Sequence, residues 1–230
     1  MTWVTPPGYR VYPPRLNITR EVLDRHIAAG RGGAPALIWP RGGWSYAELN
    51  REVCRIAAGF KALGAGPGDV VLYRCRNVPL ACAAILAAYK IGAVTAFTSS
   101  LLRESELAVI VENAEPKVAV TLEEVAEPLR ALVATGKVGK LLLLDGDAAQ
   151  GEVSAAQFTD CDAAMPSVDS GALDPALLFY SSGTTGRPKG VVHGHRWIAA
   201  MGDVVRLQME YAPGDVAMTP GEFSFMATWG

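Results

Sequence analysis

The amino-acid sequence predicts an α/β fold, mainly parallel sheets flanked by helices, for three reasons. Short apolar runs of strand length alternate along the chain with helical patterns of about 10 to 15 residues, the pattern of βαβ units. One of those helical patterns, residues 78–88, is apolar nearly all round and must be covered on both sides. The chain has 230 residues, 50% of them hydrophobic and 19% charged, which is enough to bury a full core and ordinary for a globular protein.

The elements follow in order. Pro6, Pro7, Pro13 and Pro14 interrupt the N-terminus where an export signal would need a continuous apolar stretch, so no such signal is expected. Asn17 or Thr19 caps a helix whose Val22, Leu23 and Ile27 share one face and which ends near Gly30. Residues 36–39 read as a strand. Gly42 and Gly43 then turn the chain into Ser45-Tyr-Ala-Glu48, a capping box worth about 1 kcal/mol. Leu49, Val53, Ile56, Phe60 and Leu63 recur at steps of four and three, giving one helix face to the core until Gly64 ends the helix. The run Gly64-Ala-Gly66-Pro-Gly68 has the glycines of a dinucleotide-binding turn, but it follows a helix and precedes the strand 70–73, the reverse of the required order. It reads as a helix-to-strand connection.

A helix over 78–90 is broken by Gly92 before a strand at 93–97. A helix over 104–113 leads through Pro116 to a strand at 118–121, followed by a helix over 123–134 and a strand at 141–144. Residues 145–175 have little periodicity and read as an acidic connector. There is no Lys or Arg between Lys140 and Arg187, whereas Asp145, Asp147, Glu152, Asp160, Asp162, Asp169 and Asp174 all fall there. With a net charge of -2 this pattern argues against nucleic acid as a partner. The apolar stretch 78–88 is too short for a membrane span, which takes about 20 residues. Cys54, Cys75, Cys82 and Cys161 have no C-x-x-C spacing, and Cys54 and Cys82 sit in helical patterns where a reduced thiol is the default. A reducing, cytoplasmic location is expected.

Residues 176–180 have the length of a buried strand, and they stop at Ser181, Ser182, Gly183, Thr184, Thr185 and Gly186. Gly183 and Gly186 let the main chain come close to a ligand, so that successive N–H groups converge on an anion. The four hydroxyls add rotatable donors, and Arg187 and Lys189 add positive charge. This composition suits nucleotide phosphates. It is not a Walker A loop, because Lys189 follows Pro188 and precedes Gly190. The alternative is a plain hairpin loop between strands at 176–180 and 191–193. His193 and His195 fit either a pair of metal ligands on an extended segment or, lacking acidic or thiol companions, the start of a helix over 196–207.

The whole string Tyr-Ser-Ser-Gly-Thr-Thr-Gly-Arg-Pro-Lys-Gly at 180–190 resembles the signature loop of the adenylate-forming ligases, the superfamily of acyl-CoA synthetases, luciferases and peptide-synthetase adenylation domains. Similar strings recur in family order at Trp44 to Leu49, Pro67 to Asp69, Asn77 to Pro79, Lys90 to Ala93 and Asn113 to Lys117. Residues 101–107 and 15–17 are most similar to the benzoate and 2-aminobenzoate CoA ligase branch.

The resemblance implies activation of a carboxylic acid, aromatic or other acyl, with ATP, Mg²⁺ and CoA. It places Ser181, Ser182, Gly183, Thr184, Thr185, Gly186 and Lys189 at the phosphates, with Thr185 and Lys189 in the catalytic role. It makes Phe223, Phe225 and Trp229 candidates for packing the acid, plain core packing being the alternative. The histidine often found in that region of the family is absent. The adenine-stacking motif, the ribose-binding Asp, the hinge and the C-terminal lysine of the family have no counterpart before Gly230. Residues 1–230 are therefore expected to form a partial N-terminal AMP-binding domain without the C-terminal domain, inactive alone. The alternative is a non-catalytic remnant or split-enzyme half that acts as an interaction module toward a C-terminal half or a second copy.

Overall fold

The structure, a computed structural model, describes residues 8–159, 161–181, 188–212, 214–218 and 221–223. A turn of π-helix over Arg20–Asp24 runs into the short helix α1 (Arg25–Ala28), and β1 (Pro35–Trp39) pairs with β2 (Gly42–Ser45) as a separate antiparallel ribbon. Helix α2 (Tyr46–Ala62) starts at the predicted capping box. The Ser45 hydroxyl accepts the Glu48 N–H at 3.3 Å, and the Glu48 carboxylate accepts the Ser45 N–H at 2.7 Å.

The units that follow are β3 (Val70–Arg74), α3 (Pro79–Lys90), β4 (Val94–Phe97), α4 (Glu104–Ala114), β5 (Val118–Thr121), α5 (Glu127–Ala134), β6 (Lys140–Leu143) and β7 (Val153–Ser154). The chain then returns through β8 (Pro175–Ser181) and β9 (Lys189–Gly194) into α6 (His195–Gln208). The seven strands form one sheet in the order β7-β6-β5-β3-β4-β8-β9. All neighbours are parallel except β8 and β9.

Alternation along the strands explains the two cores. Val71, Tyr73, Phe97, Val118, Val120, Leu177 and Phe179 point to one face, where α2 and α3 pack with Ile56, Phe60, Ile85 and Tyr89. Leu72, Ala96, Ala119, Leu141 and Leu178 point to the other, covered by α4 and α5 through Leu107, Ile110, Leu129 and Leu132. Helix α3 is buried nearly all round, as its composition predicts. Its last residue, Lys90, is 1% exposed and meets the Asp24 carboxylate at 2.8 Å. Gly92 ends the helix at φ +77°, and a Cβ there would lie 2.9 Å from the Val168 side chain.

Several segments differ from the sequence reading. Gly42 and Gly43, read as a turn, belong to β2 opposite Trp39 and Ile38, with the turn at residues 40–41, because the missing Cβ of Gly42 leaves room for the Trp39 ring. The helix expected from Asn17 or Thr19 to near Gly30 is the π-helical turn and the short α1. The helix expected over 123–134 is a 3₁₀ turn at Glu123–Val125 followed by α5, because Pro128 lacks an N–H and fits only the first turn. Within residues 145–175, Val153–Ser154 adds an edge strand to β6, too short to leave a periodic signal.

The chain steps from β3 to β4 and then back across to β5 on the other side of β3. The carboxyl ends of these strands flank a topological switch point, the place where open α/β sheets bind ligands.

Candidate functional site

Strand β8 is parallel to β4, with Leu177 and Leu178 opposite Thr95 and Ala96, so it ends at the same sheet edge as β3, β4 and β5. It pairs antiparallel with β9, from Pro175 opposite Gly194 to Ser181 opposite Lys189. The hairpin reading is thus right for the strands that flank the loop. Ser181 and Lys189, both exposed, face each other across its open end. Residues 182–187 lie outside the described residues, and with them Ser182, Gly183, Thr184, Thr185 and Gly186.

The arms of the hairpin are held closely. Gly190 lies opposite Tyr180, and a Cβ there would come within 2.9 Å of the Leu178 side chain and 3.3 Å of the Tyr180 ring. A glycine lets β9 approach these two side chains. The Tyr180 hydroxyl donates to the Asn113 side chain of α4 at 2.8 Å, and burial raises its pKa.

On the opposite face a row of rings crosses the sheet to α6. Tyr73 lies 5.1 Å from Phe97, Phe97 stacks on Phe179 at 5.3 Å, Phe179 meets His193 edge-on at 6.4 Å, and His193 stacks on Trp197 at 4.1 Å. His193 is therefore packed among rings, and burial lowers its pKa. His195 opens α6, the helix start its surroundings suggest. It is 1% exposed, its Nδ1 accepts the Ile18 N–H at 3.3 Å, and burial pulls its pKa down to about 4. Among the described residues no three His, Cys, Asp or Glu side chains stand together as a metal site.

The same sheet edge carries groups that the sequence reading did not single out. Arg74, 3% exposed, donates to the Ser99 and Ser100 carbonyls at 2.7 Å each and to the Val125 carbonyl at 3.1 Å, joining the loops after β4 and β5. Burial lowers the pKa of its guanidinium, and the Glu222 carboxylate opposes that shift. The Ser99 and Ser100 hydroxyls donate to the Glu222 carboxylate at 3.0 and 3.1 Å. A charged residue at the end of a strand followed by a serine pair is the signal available in the sequence, but nothing local links it to residue 222.

Phe223 is half-buried against the core and lines a cavity of about 280 Å³ with Ile18, Cys82, Ile85, Leu86 and Ile198, to which Arg10, Glu21 and Arg25 contribute polar groups. Phe225 and Trp229 lie outside the described residues. Behind the cavity, the N-terminal segment is fastened to α6 by Asp203, which accepts from the Arg10 N–H at 3.1 Å, the Arg10 guanidinium at 2.9 Å and the Tyr12 hydroxyl.

Residues 24–230 match the family model described as AMP-binding enzyme. An uncharacterized acyl-CoA ligase, YtcI of Bacillus subtilis, is 32% identical over 200 residues, covering 83% of this chain and 36% of that protein. The acetyl-coenzyme A synthetase of Yersinia pestis is 30% identical over 229 residues, covering 87% and 35%. The chain thus spans about a third of the length of these curated relatives. Among solved structures, the anthranilate CoA ligase AuaEII in complex with anthranoyl-AMP superposes with a TM-score of 0.75 at 21% identity, covering 83% of this chain and 37% of that one. The inhibitor-bound N-terminal domain of FACL13 from Mycobacterium tuberculosis gives 0.68 at 28% identity, covering 80% and 45%.

Proposed function

We propose, from the premise that this chain belongs to the AMP-binding enzyme family, that it forms the nucleotide-phosphate and acid-binding part of an ATP-dependent carboxylate–CoA ligase. The observation that carries this reading is the hairpin end at the carboxyl edge of the parallel strands. Ser181 and Lys189 are paired there, and the sequence between them is a glycine and hydroxyl loop. In the reaction a carboxylate oxygen of the acid attacks the α-phosphorus of ATP, taken with Mg²⁺, and the bond to pyrophosphate breaks. A thiolate, that of CoA, then displaces AMP from the acyl carbon.

The chain's own part is to hold the β- and γ-phosphates. Backbone N–H groups and hydroxyls of Ser181, Ser182, Gly183, Thr184, Thr185 and Gly186 would do so, with the Lys189 ammonium offsetting the charge that gathers on the leaving pyrophosphate. The acid would lie in the cavity lined by Phe223. By sequence, Phe225 and Trp229 are further candidates for packing it, and three aromatic residues favour an aromatic or short acyl group such as a benzoate. Four free cysteines suit a reducing compartment such as the cytoplasm. Among the described residues no helix is long and apolar enough to cross a membrane.

The test is ATP–pyrophosphate exchange over a panel of benzoates and fatty acids, run on the protein expressed from its complete reading frame and on residues 1–230 alone. Exchange is expected from the former and not from the latter, since orienting both reactants supplies much of the rate. Thr185→Ala and Lys189→Ala should each lower the rate by about 10²- to 10³-fold. Unchanged exchange in both variants would remove these residues from the phosphate site.

A second reading, an interaction module without catalysis, draws on β9, which is an edge strand of the sheet among the described residues and exposes Val191 and Val192. Acid-dependent exchange by the complete protein would refute it.

A further inference from the structure

The segment that carries Phe223 is attached to the sheet by side chains, and one of them has the chemistry of a clamp. Asn77 lies in the connection from β3 to α3. Its Nδ2 donates to the Gly221 carbonyl at 2.6 Å, and its Oδ1 accepts the Phe223 N–H at 3.1 Å. A side-chain amide offers one donor side and one acceptor side in a single plane, so it occupies two main-chain groups two residues apart as a neighbouring strand would. An aspartate in its place would set an anion against the Gly221 carbonyl, and a serine hydroxyl is too small to reach both groups.

Between these two contacts the Glu222 side chain reaches Ser99 and Ser100, whose carbonyls Arg74 holds. The path from the buried Arg74 through the serine pair to Glu222, together with Asn77, sets where residues 221–223 sit over the ends of β3 and β4. That in turn sets where Phe223 borders the cavity between the N-terminal segment, α3 and α6.

We propose that Asn77 is a positioning residue that determines which acid the site accepts, by seating Phe223 as one wall of the acyl chamber. This rests on the acid-activation reading above. At about 280 Å³ this half-open cavity lies just below the usual span of ligand sites, roughly 300–1,000 Å³. It suits an acid the size of a benzoate or shorter. Releasing the wall admits longer chains.

The experiment uses the complete protein and reads the ratio of kcat/KM for octanoate to that for benzoate in acid-dependent pyrophosphate release. A ratio does not depend on how much enzyme is folded. Asn77→Ala should shift it at least tenfold toward octanoate, raise KM for benzoate and leave KM for ATP within twofold. Phe223→Ala should shift it the same way, and the double variant should add little to Phe223→Ala, since both changes act on one wall. The Ser99→Ala/Ser100→Ala variant, which leaves Asn77 intact, should move the ratio in the same direction by less, and it serves if Asn77→Ala does not fold.

Hydrogen exchange at the Phe223 amide, measured alongside, should quicken at least tenfold in Asn77→Ala. A ratio within twofold of wild type, or Asn77 and Phe223 effects that simply add, would overturn the role in acid selection. Wild-type protein that activates no acid would overturn the ligase reading and this role with it, while the exchange rates would still report whether the clamp exists.

Discussion

The buried imidazole of His195 makes folding stability depend on pH in a way that one substitution should abolish. Because Nδ1 accepts the Ile18 N–H, the ring proton sits on Nε2 and the folded state holds a neutral histidine with its acceptor in use. Protonating Nδ1 would break that hydrogen bond and charge a side chain that is 1% exposed beside the Tyr89 ring, 5.8 Å away. Burial lowers the pKa from the unfolded 6.5 to about 4, against a smaller pull upward from Asp174.

The unfolded chain therefore binds the proton first as the pH falls. The contribution is fully present above pH 6.5 and is lost between there and pH 4, below which the folded state is protonated as well. Integrating the two titrations puts the loss at about 1.4 kcal/mol by pH 5.5 and about 2.5 kcal/mol by pH 4.5. His195→Asn keeps an acceptor on a shorter side chain and removes the titration. Urea unfolding followed by circular dichroism at pH 7.5, 6.5, 5.5 and 4.5 gives the stability of each form, and the difference between them cancels the carboxylates common to both. That difference should close by about 2.5 kcal/mol from pH 7.5 to 4.5. A difference flat within about 0.5 kcal/mol would refute the reasoning, because a histidine that protonates without cost is not held neutral in a buried contact.

Two further predictions concern stability. Asp24→Asn leaves the Lys90 ammonium in a buried site without its counter-charge and should cost about 3–5 kcal/mol by denaturant unfolding, most of which Lys90→Met in the same chain should restore. If Asp24→Asn proves silent, the pair is not buried as described. Ser45→Ala removes the acceptor for the Glu48 N–H at the start of α2 and should cost about 1 kcal/mol, seen as a lowered urea midpoint with an unchanged slope.

What the sequence determined by itself was what local chemistry can encode. The capping box at Ser45 and Glu48, the all-round burial of α3 and the alternation of strands with helices follow from spacing within a few residues, and spacing survives folding. The split at Pro128 was legible in principle too, since a missing N–H is a local fact that the periodicity of 123–134 outweighed.

Residues 182–187, where most of the phosphate-site expectation falls, lie outside the described residues, so the structure adds only the pairing of Ser181 with Lys189 and the sheet edge that they occupy. Only tertiary structure could decide the rest. That Asn77 meets residues 221 and 223, that Arg74 reaches three carbonyls of two other loops, and that His195 rests on Ile18 are contacts between groups 25 to 177 positions apart in the chain. Such contacts are set by strand order, which no local pattern specifies, because each strand's apolar alternation would satisfy several neighbours equally.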